Sequence, residues 1–497
     1  VMSIVNTPLF ATRQQRKIGA GFHNVGSGVL RASDAETMKK VEIQYGERCG
    51  HIPLDAQQTQ VLVDGQTGDI QAHMRYLSQL YGKEIRSVTA DEFKSAEPHA
   101  AEDKTLVVPY INVPEAERRI EGELGAESWG LPGKMVTLLK NKADFYQLID
   151  EFSLAGYQTP DYSIAQLGSL ATEALGFLSR IENIIKAAGV PNYPLGVMMR
   201  AAESDGNYGC CLVYEHLDRV IVVRDGEAEH AESYSDWHEA LAVSQRHLAT
   251  TMNEQRESRV VISRFVDMAD SPGMSVVIID GQIASLRWNG QLQKAGSKAC
   301  VGTSSYRPKD AYVARLQQEY EEQTVTVFET ILRKTARRCN IDFASLRGIA
   351  NIDLMLPSPL ELLLQKRRGQ PAAHYLAECN PRWTNYTDAI MTIIGVQRRE
   401  QTIQNMRTVI AEGISTIDKY YLPEHVDPRQ VRALLLQSDE VLQQDGTRII
   451  CRMAKNPMGL IFAGDVERGE REVAEVVQRV AKNSIPVVQP DKVGKSD

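Results

Sequence analysis

Two short segments constrain this chain more than any other part of it: Gly348-Ile349-Ala350-Asn351-Ile352-Asp353-Leu354-Met355-Leu356 and Tyr375-Leu376-Ala377-Glu378-Cys379-Asn380-Pro381-Arg382-Trp383. Each is apolar with polar residues at alternate positions, the pattern of a strand, and a polar, basic connection joins them. Residues two apart in a strand share a face. Glu378 and Asn380 therefore point one way, and Asn351 and Asp353 point one way on the other segment. Paired strands would bring two carboxylates and a carboxamide onto one face, all hard oxygen ligands. Magnesium takes a carboxylate or two together with substrate phosphates and retained waters. Arg382 follows the turn set by Pro381, where a guanidinium can grip a phosphate or carboxylate bidentately. A lone strand acid is ordinarily just solvated. Acids interrupting two apolar strands at matched positions instead outline a metal–nucleotide site, with Asp353, Glu378 and Asn380 as its ligands.

Asp353 followed by Glu378-x-Asn380-Pro381-Arg382 resembles the C-terminal signature of the ATP-grasp superfamily, and the resemblance extends from about Lys142 to Thr387. It implies an Asp and a Glu-x-Asn holding two magnesium ions that bridge the phosphates of ATP. Lys142 stands where the family carries a phosphate-binding lysine. The apolar run Tyr193 to Met199, closed by Arg200 and followed by Glu203-Ser204-Asp205-Gly206-Asn207-Tyr208-Gly209, resembles the family's strand, basic residue and glycine-rich lid. Gly206 and Gly209 would let backbone N–H groups come close to a phosphate, with Asp205 beside them. Val260 to Val266 resembles the hinge strand that holds adenine, which makes Arg264, Phe265 and Val266 nucleotide-binding candidates. Three departures accompany the likeness. Arg200 replaces the usual lysine before the lid, Ser263 and Arg264 replace the usual hinge glutamate, and Asn351 stands where many carboxylate–amine ligases carry an arginine. The last leaves Arg382 or Arg287 to hold the transferred phosphate.

The fold class expected is α/β (α+β): an ATP-grasp fold with an N-terminal α/β pre-ATP-grasp domain and a C-terminal α/β appendage. The boundaries fall at 1–133, 134–285 (nucleotide and lid region), 286–395 (metal-binding core) and 396–497, the first at the breaker cluster Gly130-Leu131-Pro132-Gly133. Helices are expected over Asp69–Tyr81, Lys142–Ala155, Ala171–Ala188, Asp310–Cys339, Gln397–Glu412 and Arg468–Lys482. Strands are expected over Leu106–Ile111, Thr447–Met453 and Gly459–Phe462. Gly19 to Gly28 mimics a dinucleotide fingerprint, but Asn24 stands where the third glycine belongs, so a loop is expected there. Lys366-Arg367-Arg368 reads as a solvated turn, and Cys379 and Trp383 as core.

A net charge of −8 over 497 residues argues against a general grip on nucleic acid. Seven cysteines without C-x-x-C spacing exclude a standard zinc ribbon and fit a reducing compartment. The N-terminus shows no basic region followed by a long apolar run, and no stretch nears the ~18 apolar residues of a membrane span. A cytoplasmic protein with neither membrane nor nucleic-acid partner is expected. No phosphate-binding G-x-x-x-x-G-K or nucleophile G-x-S-x-G motif occurs.

The resemblance implies ATP and two Mg2+ ions as cofactors, and a small-molecule carboxylate and amine as substrates, joined through an acyl phosphate with release of ADP and phosphate. The architecture resembles peptide ligases of the pheganomycin type, which implies amino-acid or peptide substrates in specialised metabolism. A small-molecule kinase, a coenzyme A ligase and a non-catalytic ATP-binding regulator remain open, as does a homodimer.

Overall fold

Parallel strands need crossover connections, and the N-terminal segment provides them. The computed structural model describes residues 4–10, 18–22, 50–52, 58–63, 65–95, 106–204, 209–226, 230–252, 257–293 and 300–484. Strands β1 (Ile18–Phe22), β2 (Gln58–Leu62), β3 (Glu84–Val88), β4 (Leu106–Pro109) and β5 (Glu127–Ser128) form a parallel sheet in the order β3-β2-β1-β4-β5. The helix Gly68–Tyr81 crosses from β2 to β3; Thr67 caps its start by accepting from the Ile70 N–H, and Gly82 ends it at φ 64°. The loop expected at Gly19–Gly28 is corrected over its first part. Gly19 and Gly21 pair with Val107 and Val108 in the middle of this sheet, and a strand of small residues gives no alternation to read. Residues 23–28 lie outside the described residues.

A second sheet carries β7 (Tyr162–Gln166), β8 (Gly196–Ala201), β9 (Cys210–His216), β10 (Arg219–Arg224), β11 (Glu232–Tyr234) and β12 (Arg259–Arg264), in the order β11-β10-β9-β8-β12-β7. One face, with Val197, Met199, Ala201, Val260 and Ile262, packs on the helices Leu170–Ala188 and Trp237–Thr251. Cross-strand pairing of Arg200 with Val261 and of Met198 with Ser263 puts these four on the opposite face.

The third sheet of residues 1–411 is built from β6 (Tyr157–Gln158), β14 (Gly273–Ile279), β15 (Gln282–Gln293), β16 (Cys300–Ser305), β17 (Gly348–Pro357) and β18 (His374–Asn380), in the order β16-β15-β14-β17-β18-β6, with β13 (Met268–Asp270) added to the end of β17. Met274, Val276, Ile352, Leu354, Leu376 and Cys379 share a core with Phe328, Ile331 and Leu332 of the long helix Ala311–Arg338. Cys379 is thus core, as expected from its place between two outward residues. Trp383 is buried too, stacked on Trp129 with ring centroids 5.5 Å apart.

Two expectations fail here. The basic connection between the signature strands is a helix, Pro359–Arg367, capped by Ser358 through the Leu360 and Glu361 N–H groups. Its Glu361 is fully buried and pairs with Arg264 at 2.7 Å, while Arg368 donates twice to Asp161, each time at 2.7 Å. Arg368 is therefore structural and not part of a solvated turn; a lone Glu among leucines gave no sign of a partner ninety-seven positions away. The helix expected over Gln397–Glu412 begins at Ile403, and a separate helix, Asn385–Val396, precedes it. Nearly every side chain of that earlier helix is buried, so it shows no amphipathic period.

The chain divides into two compact units, residues 1–411 and 412–497. The second has an antiparallel sheet of β19 (Ile414–Tyr420), β20 (Arg448–Met453) and β21 (Met458–Ala463), with β21 central, and the helices Pro428–Leu442 and Val466–Ser484. Buried Asp439 accepts from Arg448 at 2.6 Å and from the Ile449 N–H at 2.8 Å. No described helix is long and apolar enough to cross a membrane.

Breaking one side of a buried ion pair strands the other charge, at a cost of about 3–5 kcal/mol. Glu361→Ala should lower the urea-unfolding free energy by that amount, whereas Lys366→Ala, an exposed neighbour on the same helix, should be near neutral. Equal, small effects for both would mean that Arg264 finds other compensation.

Candidate active site

The pairing of β17 with β18 sets Asp353 directly opposite Glu378 and Asn351 opposite Asn380. Asn351 Nδ2 donates to Asp353 Oδ1 at 2.7 Å, and Asn380 Nδ2 donates to Asp353 Oδ2 at 3.1 Å. Arg382 donates through Nη2 to Asn380 Oδ1 at 3.1 Å and through Nη1 to the Trp383 carbonyl at 2.9 Å. Burial, and then the Glu378 carboxyl beside it, hold the Asp353 carboxyl well above the usual aspartate range.

Two cations approach Glu378 from different elements. Lys142 is the first residue of the helix Lys142–Phe152, whose start is fixed by Asn141 accepting from the Ala143 and Asp144 N–H groups at 3.1 and 3.2 Å. Its own N–H donates to the Ala202 carbonyl at 2.8 Å, tying the helix start to the end of β8. The buried Nζ lies 3.2 Å from Glu378 Oε2 and also donates to the Ser204 carbonyl. Arg200 of β8 reaches the same carboxylate at 3.9 Å and the Ala377 carbonyl at 3.3 Å, with its guanidinium over the Tyr146 ring and donating to the Tyr146 hydroxyl.

The structure therefore brings together Lys142, Arg200, Asp353, Glu378, Asn380 and Arg382. The other candidates stand as follows. Gly209 sits at φ 69° at the start of β9, its carbonyl accepting from the Ala201 N–H at 2.9 Å; Asp205 and Gly206 lie outside the described residues. Val266 is buried, and the Phe265 N–H donates to the Gly196 carbonyl at 2.9 Å. The Arg264 side chain is engaged elsewhere. It pairs across the strands with Val197, on the face opposite Arg200, and its guanidinium is taken up by Glu361, Asp161 and Tyr193. Counting alternate positions from Val261 would have placed Ser263, not Arg264, beside Arg200. Arg287 is not drawn in either. It is exposed at an irregularity of β15 with φ 67°, its charged neighbour is Arg407, and among the described residues no hydrogen bond or ion pair joins it to Asp353, Glu378 or Asn380. Tyr146 and the Ser204 carbonyl were missed. A helix tyrosine and a backbone oxygen leave no mark in sequence. A cavity of about 420 Å³, lined by Thr159, Asp161, Tyr162 and Arg368 among others, lies at the edge strand β7 and involves none of the carboxylate cluster.

Buried Asp353, half-buried Glu378 and the Asn380 carboxamide on one face fit magnesium, since all three donors are hard oxygens and the raised Asp353 marks a place where a cation would relieve like-charge repulsion. Among the described residues no group of three or more His, Cys, Asp or Glu side chains could hold a metal, so amide oxygen and substrate phosphate would have to complete the shell.

No protein-family model matches the sequence, and no curated protein does. Solved structures of similar chain course include N5-carboxyaminoimidazole ribonucleotide synthetase in its ADP complex, 12% identical with a TM-score of 0.48, over 96% of this chain and 99% of that one. The same enzyme from Thermus thermophilus is 10% identical, with a TM-score of 0.48 over 88% and 96%. D-alanyl-alanine synthetase A from Vibrio cholerae is 11% identical, with a TM-score of 0.40 over 72% and 100%.

The raised Asp353 has a pH signature. Unfolded, the carboxyl ionises near its ordinary value of about 3.9; folded and without a cation, it keeps its proton further up. The folded state then binds the extra proton, so its contribution to stability falls as pH rises from about 4 toward neutrality. Urea midpoints taken from pH 4 to 8 should show Asp353→Asn gaining stability relative to the parent as pH rises, with magnesium and ATP narrowing the gap. Parallel curves would count against the assigned shift.

Proposed function

We propose that this protein is an ADP-forming carboxylate–amine ligase of ATP-grasp type. The observation that carries the proposal is the convergence of Lys142 and Arg200, from two separate elements, on Glu378, which stands opposite Asp353. Cations and acids so interleaved suit a polyphosphate with its counter-ion, because each sign needs the other to remain buried. Asp353, Glu378 and Asn380 would hold magnesium, which supplies charge neutralisation on the terminal phosphates. Lys142 and Arg200 would bind phosphate oxygens, with Tyr146 keeping the guanidinium in place. The resemblance of the sequence around Gly206 assigns that residue to a lid that excludes water.

The chemistry needs no protein nucleophile. A substrate carboxylate oxygen attacks the γ-phosphorus, the bond to the β-phosphate oxygen breaks, and ADP leaves. An amine then attacks the carbonyl carbon of the acyl phosphate, loses a proton, and phosphate departs with the C–O bonding pair. Arg382, held by Asn380 and the Trp383 carbonyl, would steady the transferred group. Amino-acid or peptide substrates are the finer proposal.

Hydroxylamine tests the reaction class, since it captures an acyl phosphate as a hydroxamate. Incubation with ATP, magnesium and pools of carboxylates should give hydroxamate and ADP in equal amounts. AMP with pyrophosphate, or a stable phosphoester formed without any amine, would falsify the ligase assignment. Glu378→Gln should reduce ADP formation by roughly a hundredfold or more at saturating magnesium, with a retained cooperative melting transition showing that the variant still folds.

A further inference from the structure

The carboxylate cluster does not end at Asp353. Residues directly opposite one another in paired strands share a face, and the register places Glu378, Asp353, Gly273 and Asn289 in one rung across β18, β17, β14 and β15. The adjacent rung is Asn380, Asn351 and Ser275. The face is therefore asymmetric. At the β18 end stand the cations on Glu378; toward β15 the two paired rungs hold carboxamides and a hydroxyl, with Arg287 exposed two positions along from Asn289.

These groups are buried, with Ser275, Asn351 and Asn289 at 0, 4 and 5% exposure. Ser275 Oγ lies 3.0 Å from Asn351 Oδ1 and 3.3 Å from Asn289 Oδ1, yet has a single proton for both. Asn351 commits its amide nitrogen to Asp353. Asn289 ends the series: its Nδ2 has no partner among the described residues, and its Oδ1 has at best a shared one. The residue is almost wholly buried while its amide nitrogen stays open to hydrogen-bond an incoming group. Gly273 between them adds to this. A Cβ there would meet the Asn289 and Asn351 amides at 2.8–2.9 Å, so only glycine lets both carboxamides lean over the strand.

We propose that Asn289, supported by Ser275, is a specificity-determining residue that reads a neutral amide of the carboxylate substrate, so that the preferred donor is an N-acylated amino acid or a peptide C-terminus. The proposal rests on the ligase reading above. A free amino acid would bring an ammonium against Asn289, whose paired neighbours Gly273 and Ser305 carry no charge to meet it. An amide offers one acceptor and one donor, which is what a spare carboxamide answers. Two strand spacings, roughly 10 Å, separate the backbones of Asn289 and Asp353. Shortened by both side chains, that gap suits an amide two bonds from the reacting carboxyl.

The test uses the hydroxylamine trap with N-acetylated amino acids covering the common side chains, each beside its free amino acid and the des-amido acid of equal length. The parent should favour the acetylated member by at least tenfold in kcat/KM. Asn289→Ala should remove that margin by raising KM for the acetylated acid, with KM for ATP and the thermal shift given by magnesium and ATP unchanged. Asn289→Asp should turn the preference toward the free amino acid, whose ammonium the new carboxylate can pair. A parent that prefers the free or des-amido acids, or an Asn289→Ala protein that folds and keeps the margin, overturns the proposal. A parent that ATP stabilises but that forms hydroxamate from no carboxylate overturns the ligase reading itself, and this inference with it.

Discussion

Asp353 and Glu378 face each other on adjacent antiparallel strands, an arrangement that repels when both are ionised. Everything around them answers that repulsion. Asn351 and Asn380 donate to Asp353, Lys142 and Arg200 close on Glu378, and Arg382 orients Asn380 from the turn beyond. The cations arrive on elements from separate parts of the chain, a capped helix start and the end of β8, joined by the Lys142 N–H to Ala202 carbonyl bond. The site is thus a place where the helix and the two sheets must agree in position before any of the charges is satisfied.

That agreement explains what could be read beforehand. The two signature strands were legible because alternation is a local property, and with two acids interrupting apolar runs it also exposed the shared face. Lys142 and Arg200 were legible only through their resemblance to a known order of elements, since nothing within a few residues of either says that it faces Glu378. Arg264 was named through the likeness of Val260–Val266 to a hinge strand, and nothing local to it shows that its side chain turns to Glu361 on the other face of β12.

The remaining gaps share a cause. The helix Pro359–Arg367 was hidden because its buried face is partly ionic, with Glu361 and Gln365 inside, so hydrophobic periodicity is faint. The helix Asn385–Val396 was hidden for the reverse reason, being buried on all sides. The strand Ile18–Phe22 is rich in glycine and its partners are far away in sequence. Asn289 carried no signal at all: a strand asparagine is unremarkable until register places it in line with Asp353.

The Arg264–Glu361 pair has a bearing on how such a chain can change over generations. Its halves lie on a sheet strand and on the helix inserted between the two acid-bearing strands, and neither touches the carboxylate cluster. Losing either half alone leaves a charge stranded in the interior, a step that selection on stability would remove before a second substitution could repair it. Drift through the one-sided intermediates is disfavoured, and the two residues would have to change together. The helix is then tied to the sheet by a lock remote from the carboxylate cluster, so changes at the surface are open to the chain where changes at this pair are not.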